Sequence, residues 1–192
     1  ISQQYNGSAY YICYAACIAA MYNYMQGTNY MATDIIDNYP YRNEHIIDLS
    51  GNPNPQDWYY YNQAATFANI RSYIFPYYFP NALPYLNGVT QNLITTNINN
   101  DVPPYISTEA ASATDYNDNL YHAVSVYGYN NSSSTYSAYI MDPWCDSDGD
   151  GKAGDGGFVI AVYQNGSSPA SYSMGGTGTT MYFSRALAPN EN

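Results

Sequence analysis

Three residues of this chain have the types and the order of a nucleophile, a base and an orienting acid. Cys13 lies at the predicted start of a helix, where free backbone N–H groups and the helix dipole favour a thiolate. His122 opens a predicted strand, and Asp142 ends the next one. Because adjacent antiparallel strands can bring such side chains together, this set predicts a Cys-His-Asp relay for nucleophilic catalysis.

Neighbouring residues add an oxyanion hole and a rival nucleophile. A glutamine upstream of Cys13, either Gln3 or Gln4, could supply a side-chain N–H that completes an oxyanion hole with the Cys13 backbone N–H. Cys17 is the rival nucleophile, but it lies one turn into the helix on its apolar face, which indicates a core or disulfide-bonded residue. His45 is predicted to lie at the surface or at a helix end.

The stretch Cys13-Tyr14-Ala15-Ala16-Cys17, with a glutamine before it, resembles the nucleophile helix of papain-like cysteine peptidases. The stretch from His122 to Tyr129 and the Asp142-Pro-Trp segment resemble the His and Asp strands of that family. Taken in order, these motifs extend from Ile1 to Tyr163, and they are most similar to compact bacterial members such as bacteriocin-leader-processing peptidases and their secreted relatives.

The chain departs from the classical pattern in two ways, of which the first favours the compact branch of that family. The gap of 109 residues between Cys13 and His122 is shorter than the about 130–150 of papain and cathepsin chains. Tyr10 stands where the classical signature has a disulfide cysteine. The resemblance implies a papain-like cysteine endopeptidase, and it favours Gln3 over Gln4 because Ile1-Ser2-Gln3 is similar to the family's strand that leads into the glutamine.

A second candidate site lies directly after Asp142-Pro-Trp. Its alternating carboxylates resemble the first half of a calcium loop, and they belong to Asp146, Asp148, Asp150 and Asp155. Gly151 permits the sharp turn of such a loop. The twelfth position of this loop is Gly157 rather than Glu, so a full EF-hand is not expected. We predict a structural calcium ion that fixes the loop beside Asp142.

The three cysteines leave one unpaired thiol if a disulfide forms. Cys17 and Cys145 are the natural pair if Cys13 is the nucleophile, and such a pair would imply an oxidising compartment. The sequence leaves open whether this bond forms.

Periodicity predicts helices in the first half of the chain and strands in the second. Expected helices run from Cys13 to near Gly27, from Met31 to Ile36, from Gln56 to Ile70 and from Val89 to Ile98. Five strands are expected from residue 105 onwards: 105–108, 122–129, 136–141, 158–163 and 180–183. We therefore predict one α+β, papain-like domain over residues 1–192, in which an N-terminal nucleophile helix packs on a C-terminal antiparallel β-sheet.

Composition excludes several function classes. The chain has 15 acidic residues against four Lys and Arg, a net charge of −11, so it lacks the basic surface that a nucleic-acid binder needs. No apolar run is long enough to span a membrane. A start at Ile1 and a surface rich in Tyr and Asn are typical of a secreted, extracellular or cell-surface protein, with a peptide or protein as substrate.

Two other functions fit the same residues. The 26 tyrosines favour protein contacts, so a surface or self-assembly module with unused peptidase machinery, active as a homo-oligomer, is the alternative. An acyltransferase that uses the same triad is the other option.

Overall fold

The structure is a computed structural model of the chain. It describes residues 4–5, 8–9, 12–46, 65–85, 88–110, 121–131, 135–144, 157–163, 170–174 and 179–189.

Helices occupy most of the described first half. Their bounds are α1 Cys13–Gln26, α2 Ala32–Asp37, α3 Arg42–His45, α4 Phe67–Asn69, α5 Phe75–Tyr78 and α6 Gln91–Asn99. A π-helical turn, Ile70–Ile74, joins α4 directly to α5. No helix in the described part of the chain is both long enough and apolar enough to cross a lipid bilayer.

The helix α1 follows from its apolar pattern and from a glycine at its end. Its buried residues form a continuous run, Tyr14–Ala19, followed by Met21, so the first half of the helix is buried all round. Gly27 closes the helix with a φ of 65°, and its N–H donates to the Asn23 carbonyl at 2.9 Å. Only glycine adopts this left-handed conformation without steric cost, which explains why the helix ends here. The observed end agrees with the predicted end near Gly27, which is therefore confirmed.

Nine strands are described. A two-residue pair, β1 Gln4–Tyr5 and β2 Ser8–Ala9, stands apart from the main sheet. The other seven are β3 Leu83–Tyr85, β4 Tyr105–Ala110, β5 Tyr121–Asn130, β6 Tyr136–Asp142, β7 Gly157–Tyr163, β8 Ser171–Ser173 and β9 Thr180–Ala188.

The main sheet closes on itself. Antiparallel neighbours follow the order β9-β4-β5-β6-β7-β8, and β8 pairs back onto β9, so these six strands form a closed barrel. One edge of β9 pairs with β4. On its other edge, the start of β9 pairs with β8 and the end of β9 pairs with the extra strand β3. Closure removes the exposed edges that an open sheet would have.

The prediction of an α+β papain-like fold is therefore wrong: the chain forms a closed six-stranded antiparallel barrel with one extra strand and mostly short helices. The error traces to β8. Its three residues lie in the Gly-Ser stretch from Gly166 to Gly178, a composition that is typical of a surface loop and for which no strand was predicted. Because β8 pairs with both β7 and β9, this strand converts an open sheet into a barrel.

Two apolar clusters lie on opposite sides of the barrel wall. Ile106, Val124 and Ile140 belong to a cluster that includes inward positions of the strands and one face of α6. Ala123 and Met141, which alternate with them, pack outward against α1. Since successive strand residues point to opposite faces, this alternation fixes which side chains face the barrel interior.

Candidate active site

Cys13 is the first residue of α1. Ile12 precedes it, and no side-chain hydrogen bond caps the helix there. The first backbone N–H groups of a helix have no intrahelical partner, and Cys13 lies at this end of α1. Its thiol is free, and the residue is half-buried.

His122 is the second residue of β5, in the same alternation as Val124 and Val126. The strand pairs with β4, where Thr108 lies opposite His122. The Thr108 hydroxyl donates to the His122 backbone carbonyl at 3.1 Å, which ties the two strands together at this position. The side chain of His122 is buried.

Asp142 ends β6 and is held by a local turn. Its Oδ1 accepts a hydrogen bond from the backbone N–H of Trp144 at 2.9 Å, the geometry of an Asx turn across Pro143. The same oxygen accepts from Nε2 of His122 at 2.6 Å. Because a carboxylate can only accept, this contact places a proton on Nε2.

The pairing of β5 with β6 explains how these two side chains meet. Ser125 lies opposite Met141, and continuing this antiparallel register by one residue sets Asp142 across from Val124. His122 is two residues along β5 from Val124, so it is the diagonal neighbour of Asp142 on the same face. The resulting ion pair is withdrawn from water, with side-chain exposures of 5% for His122 and 0% for Asp142.

Cys13 completes the contact from the other side. Its side chain lies close enough to His122 to raise the pKa of the imidazole, and because Nε2 is engaged by Asp142, Nδ1 is the ring nitrogen left for the sulfur. Burial lowers the pKa of His122, but the charge and side chain of Cys13, the hydrogen bond to Asp142 and the charge of Asp142 together raise it from 6.5 to about 10. The imidazole is therefore positively charged at neutral pH.

Cys17, the rival nucleophile, lies in a different environment. It is fully buried in the apolar cluster that α1 forms with barrel residues such as Ala123 and Met141. Burial, followed by the charges of Cys13 and Asp142, raises the pKa of its thiol well above the usual range, so it stays neutral and unreactive. The Cys17 thiol is free, and Cys145, the partner considered from sequence, lies outside the described residues.

Several predicted residues lie outside the described part of the chain. These are Gln3 of the oxyanion hole, Cys145, and the four calcium-loop residues Asp146, Asp148, Asp150 and Asp155. Among the described residues, no group of three or more His, Cys, Asp or Glu side chains is arranged to hold a metal ion.

Sequence reasoning missed the buried polar atoms around the triad. Asp142 Oδ2, Trp144 Nε1 and the Tyr14 hydroxyl are buried, and none has a hydrogen-bond partner among the described residues. Burial, followed by the charges of Cys13 and Tyr78, raises the pKa of Tyr14 well above the usual range. The position of Tyr14 next to the nucleophile is visible in the sequence, but its burial is a tertiary property.

Comparison with models of known protein families found no match, and comparison with curated protein sequences found none either.

Proposed function

We propose that this protein is a cysteine hydrolase that cleaves peptide bonds, with Cys13 as nucleophile, His122 as general acid and base, and Asp142 as the orienting carboxylate. The observation that supports it most is the buried contact of 2.6 Å between His122 Nε2 and Asp142 Oδ1, made by a histidine whose pKa the neighbouring Cys13 also raises. The proposal depends on this geometry and not on the papain-like fold, which the chain does not have.

The charge on His122 supports this chemistry. A positive imidazolium beside a thiol favours the thiolate, which is the nucleophilic form. Asp142 keeps Nε2 protonated and fixes the ring, so that Nδ1 faces the sulfur. The uncapped N–H groups at the start of α1 are suited to hold the developing oxyanion, with Gln3 as the predicted second donor.

The reaction proceeds in two balanced steps. The Cys13 sulfur attacks the carbonyl carbon of the peptide bond, the C–N bond breaks, and the His122 proton goes to the leaving amine. Water then gives a proton to His122, and its oxygen attacks the thioester carbon. The carboxylic acid and the Cys13 thiolate are released, and His122 is again positively charged.

The test is hydrolysis of a diverse peptide mixture read by mass spectrometry, because the sequence does not identify the substrate. Cys13→Ala should abolish cleavage, a loss of at least about 10³-fold. Cys17→Ala is the matched control, since it removes a neutral buried thiol, and it should keep its activity. Cleavage that survives Cys13→Ala but not Cys17→Ala would contradict the assignment.

Adding a primary amine to the same incubation separates hydrolysis from acyl transfer. A hydrolase yields mainly free carboxylic acids, whereas an acyltransferase forms the new amide. The second outcome would keep the triad and change the reaction class.

A surface or self-assembly module is the second candidate, and the outer face of β7 favours it. Phe158 and Ile160 on that face are 73% and 57% exposed, although strand residues facing water are usually polar. Ile160→Thr should then dissolve an oligomer seen by light scattering. An active monomer that Ile160→Thr leaves unchanged would exclude this alternative.

A further inference from the structure

A cavity of about 430 Å³ lies at the end of the α1–β5 interface remote from Cys13. Its volume falls in the range of small-ligand pockets. Residues of α1, β5, β6, β7 and the turn after α6 line it, and six of them matter for its chemistry: Met21, Tyr24, Asp101, Tyr127, Met141 and Phe158.

This cavity is separate from the candidate active site. Ala20 and Tyr24 share a helix face with Cys13 but lie seven and eleven residues further along α1, about 10 Å and about 16 Å at 1.5 Å per residue. Between them, Ala16 and Cys17 are fully buried. None of the described residues that line the cavity belongs to the Cys13, His122 and Asp142 set.

Aromatic rings form much of the mouth of the cavity. The rings of Tyr127 and Phe158 lie 5.0 Å apart, edge to face. Tyr24 lines the same space and is 63% exposed, so its ring is available to a ligand. The face of an aromatic ring carries negative electrostatic potential and attracts cations.

A carboxylate lies beside these rings. Asp101 follows α6, adopts a left-handed φ of 57°, and accepts a hydrogen bond of 3.4 Å from the Tyr24 hydroxyl. None of the described residues that line the cavity is Lys or Arg. Because the chain carries a net charge of −11, its overall field also attracts cations.

We propose that this cavity binds an organic cation, an ammonium or guanidinium group carried on an apolar body. The aromatic rings and Asp101 hold the charged group, and the methionine side chains contact the apolar part. The proposal is independent of the cysteine hydrolase assignment, and its test needs no activity.

The test is NMR of ¹³C-methyl methionine, since the six methionines report on location. Met21 and Met141 line the cavity, whereas Met174 and Met181 lie in the barrel cluster. Choline and N-acetyl-arginine amide are the probes, and their uncharged counterparts are 3,3-dimethylbutan-1-ol and N-acetyl-citrulline amide. We expect a charged probe to shift the Met21 and Met141 signals alone and to bind at least about fivefold more tightly than its counterpart.

Asp101→Asn is the decisive variant. Asparagine tolerates the left-handed conformation, so the turn is kept while the charge is lost. Glu44→Gln, an exposed site on α3, removes the same charge elsewhere. We expect about fivefold weaker binding for Asp101→Asn and no change for Glu44→Gln.

Equal binding of the charged and uncharged probes would overturn the proposal, and so would equal effects of the two variants on binding. It would also be overturned if the Met21 and Met141 signals did not shift at about 100 mM probe, a concentration that detects even very weak binding. Preference for choline would indicate a free ammonium ligand, whereas preference for the arginine amide would indicate a peptide side chain. Either preference supports an organic-cation site.

Discussion

Removing the Asp142 carboxylate tests the buried ion pair most sharply. Asp142→Ala leaves a buried His122 without the acceptor that it contacts at 2.6 Å. It also removes the acceptor for the Trp144 backbone N–H, so two donors lose their partner. Unpaired donors withdrawn from water are costly, which makes this change far more severe than the loss of a surface charge.

The magnitude follows from burial. Both side chains of this pair are at most 5% exposed, and breaking such a buried pair costs about 3–5 kcal/mol. The chain offers a less buried pair for comparison, Arg185 with Glu109, at 3.3 Å with side-chain exposures of 28% and 45%. Exposed pairs contribute about 0–1 kcal/mol, so Glu109→Ala should cost at most about 1 kcal/mol.

Urea unfolding near neutral pH measures both variants. We expect the free energy of unfolding to fall by about 3–5 kcal/mol for Asp142→Ala, a large share of the about 5–15 kcal/mol typical of a domain. Asp142→Asn keeps an acceptor for both donors and should lie between Asp142→Ala and the wild type. If Asp142→Ala costs no more than Glu109→Ala, the ion pair does not hold the site together and the reasoning fails.

Three further predictions concern pH, calcium and a buried hydroxyl. Folding raises the pKa of His122 from 6.5 to about 10, so the stabilisation that protonated His122 contributes is complete below about pH 6.5 and is lost as pH rises through about 10. The urea concentration at the unfolding midpoint should therefore decline over that pH interval, and it should decline less in His122→Gln than in the wild type. If the predicted loop binds calcium, chelation should lower the melting temperature of the wild type but not that of the double variant Asp148→Asn, Asp150→Asn. Titration calorimetry that finds no calcium binding would refute the predicted calcium site. Tyr14→Phe removes a buried hydroxyl with no described hydrogen-bond partner, so it should leave the free energy of unfolding unchanged or raise it. Tyr163→Phe loses a hydrogen bond of 2.7 Å to the Val89 carbonyl, so it should lower the free energy of unfolding by about 1 kcal/mol. Equal changes for the two variants in urea unfolding would contradict this contrast.

Local patterns predicted the helices and strands where packing agrees with them. The helix from Cys13 to Gln26 follows from its apolar spacing and from Gly27, and the strand around His122 follows from its β-branched and aromatic residues. One detail of the helix differs. Tyr24 fits the apolar face by spacing, yet most of its ring is exposed because that end of the face borders a cavity instead of the core.

The closure of the barrel could not be predicted in this way. Ser171–Ser173 is too short and too polar to show a strand period, and it is a strand because β7 and β9 offer it two edges. A pairing that depends on distant strands leaves no local pattern. The fold class was therefore wrong even though most of its elements were expected.

The candidate site was more accessible to sequence reasoning than the fold. A cysteine at a helix start and a His and an Asp on consecutive strands suffice to predict that they meet, because consecutive antiparallel strands usually pair. The depth of burial of Asp142 and the Asx turn to Trp144 depend on tertiary packing. The catalytic role of these residues stays a prediction.

The rate of alkylation of Cys13 by iodoacetamide, followed by peptide mapping as a function of pH, tests the central claim most directly. At about pH 6 we expect Cys13 to react at least about tenfold faster than a free model thiol, Cys17 to stay unmodified in the folded protein, and His122→Ala to remove the advantage of Cys13. A Cys13 rate equal to that of a free thiol and unchanged in His122→Ala would contradict the assignment of Cys13 and His122 as a catalytic pair.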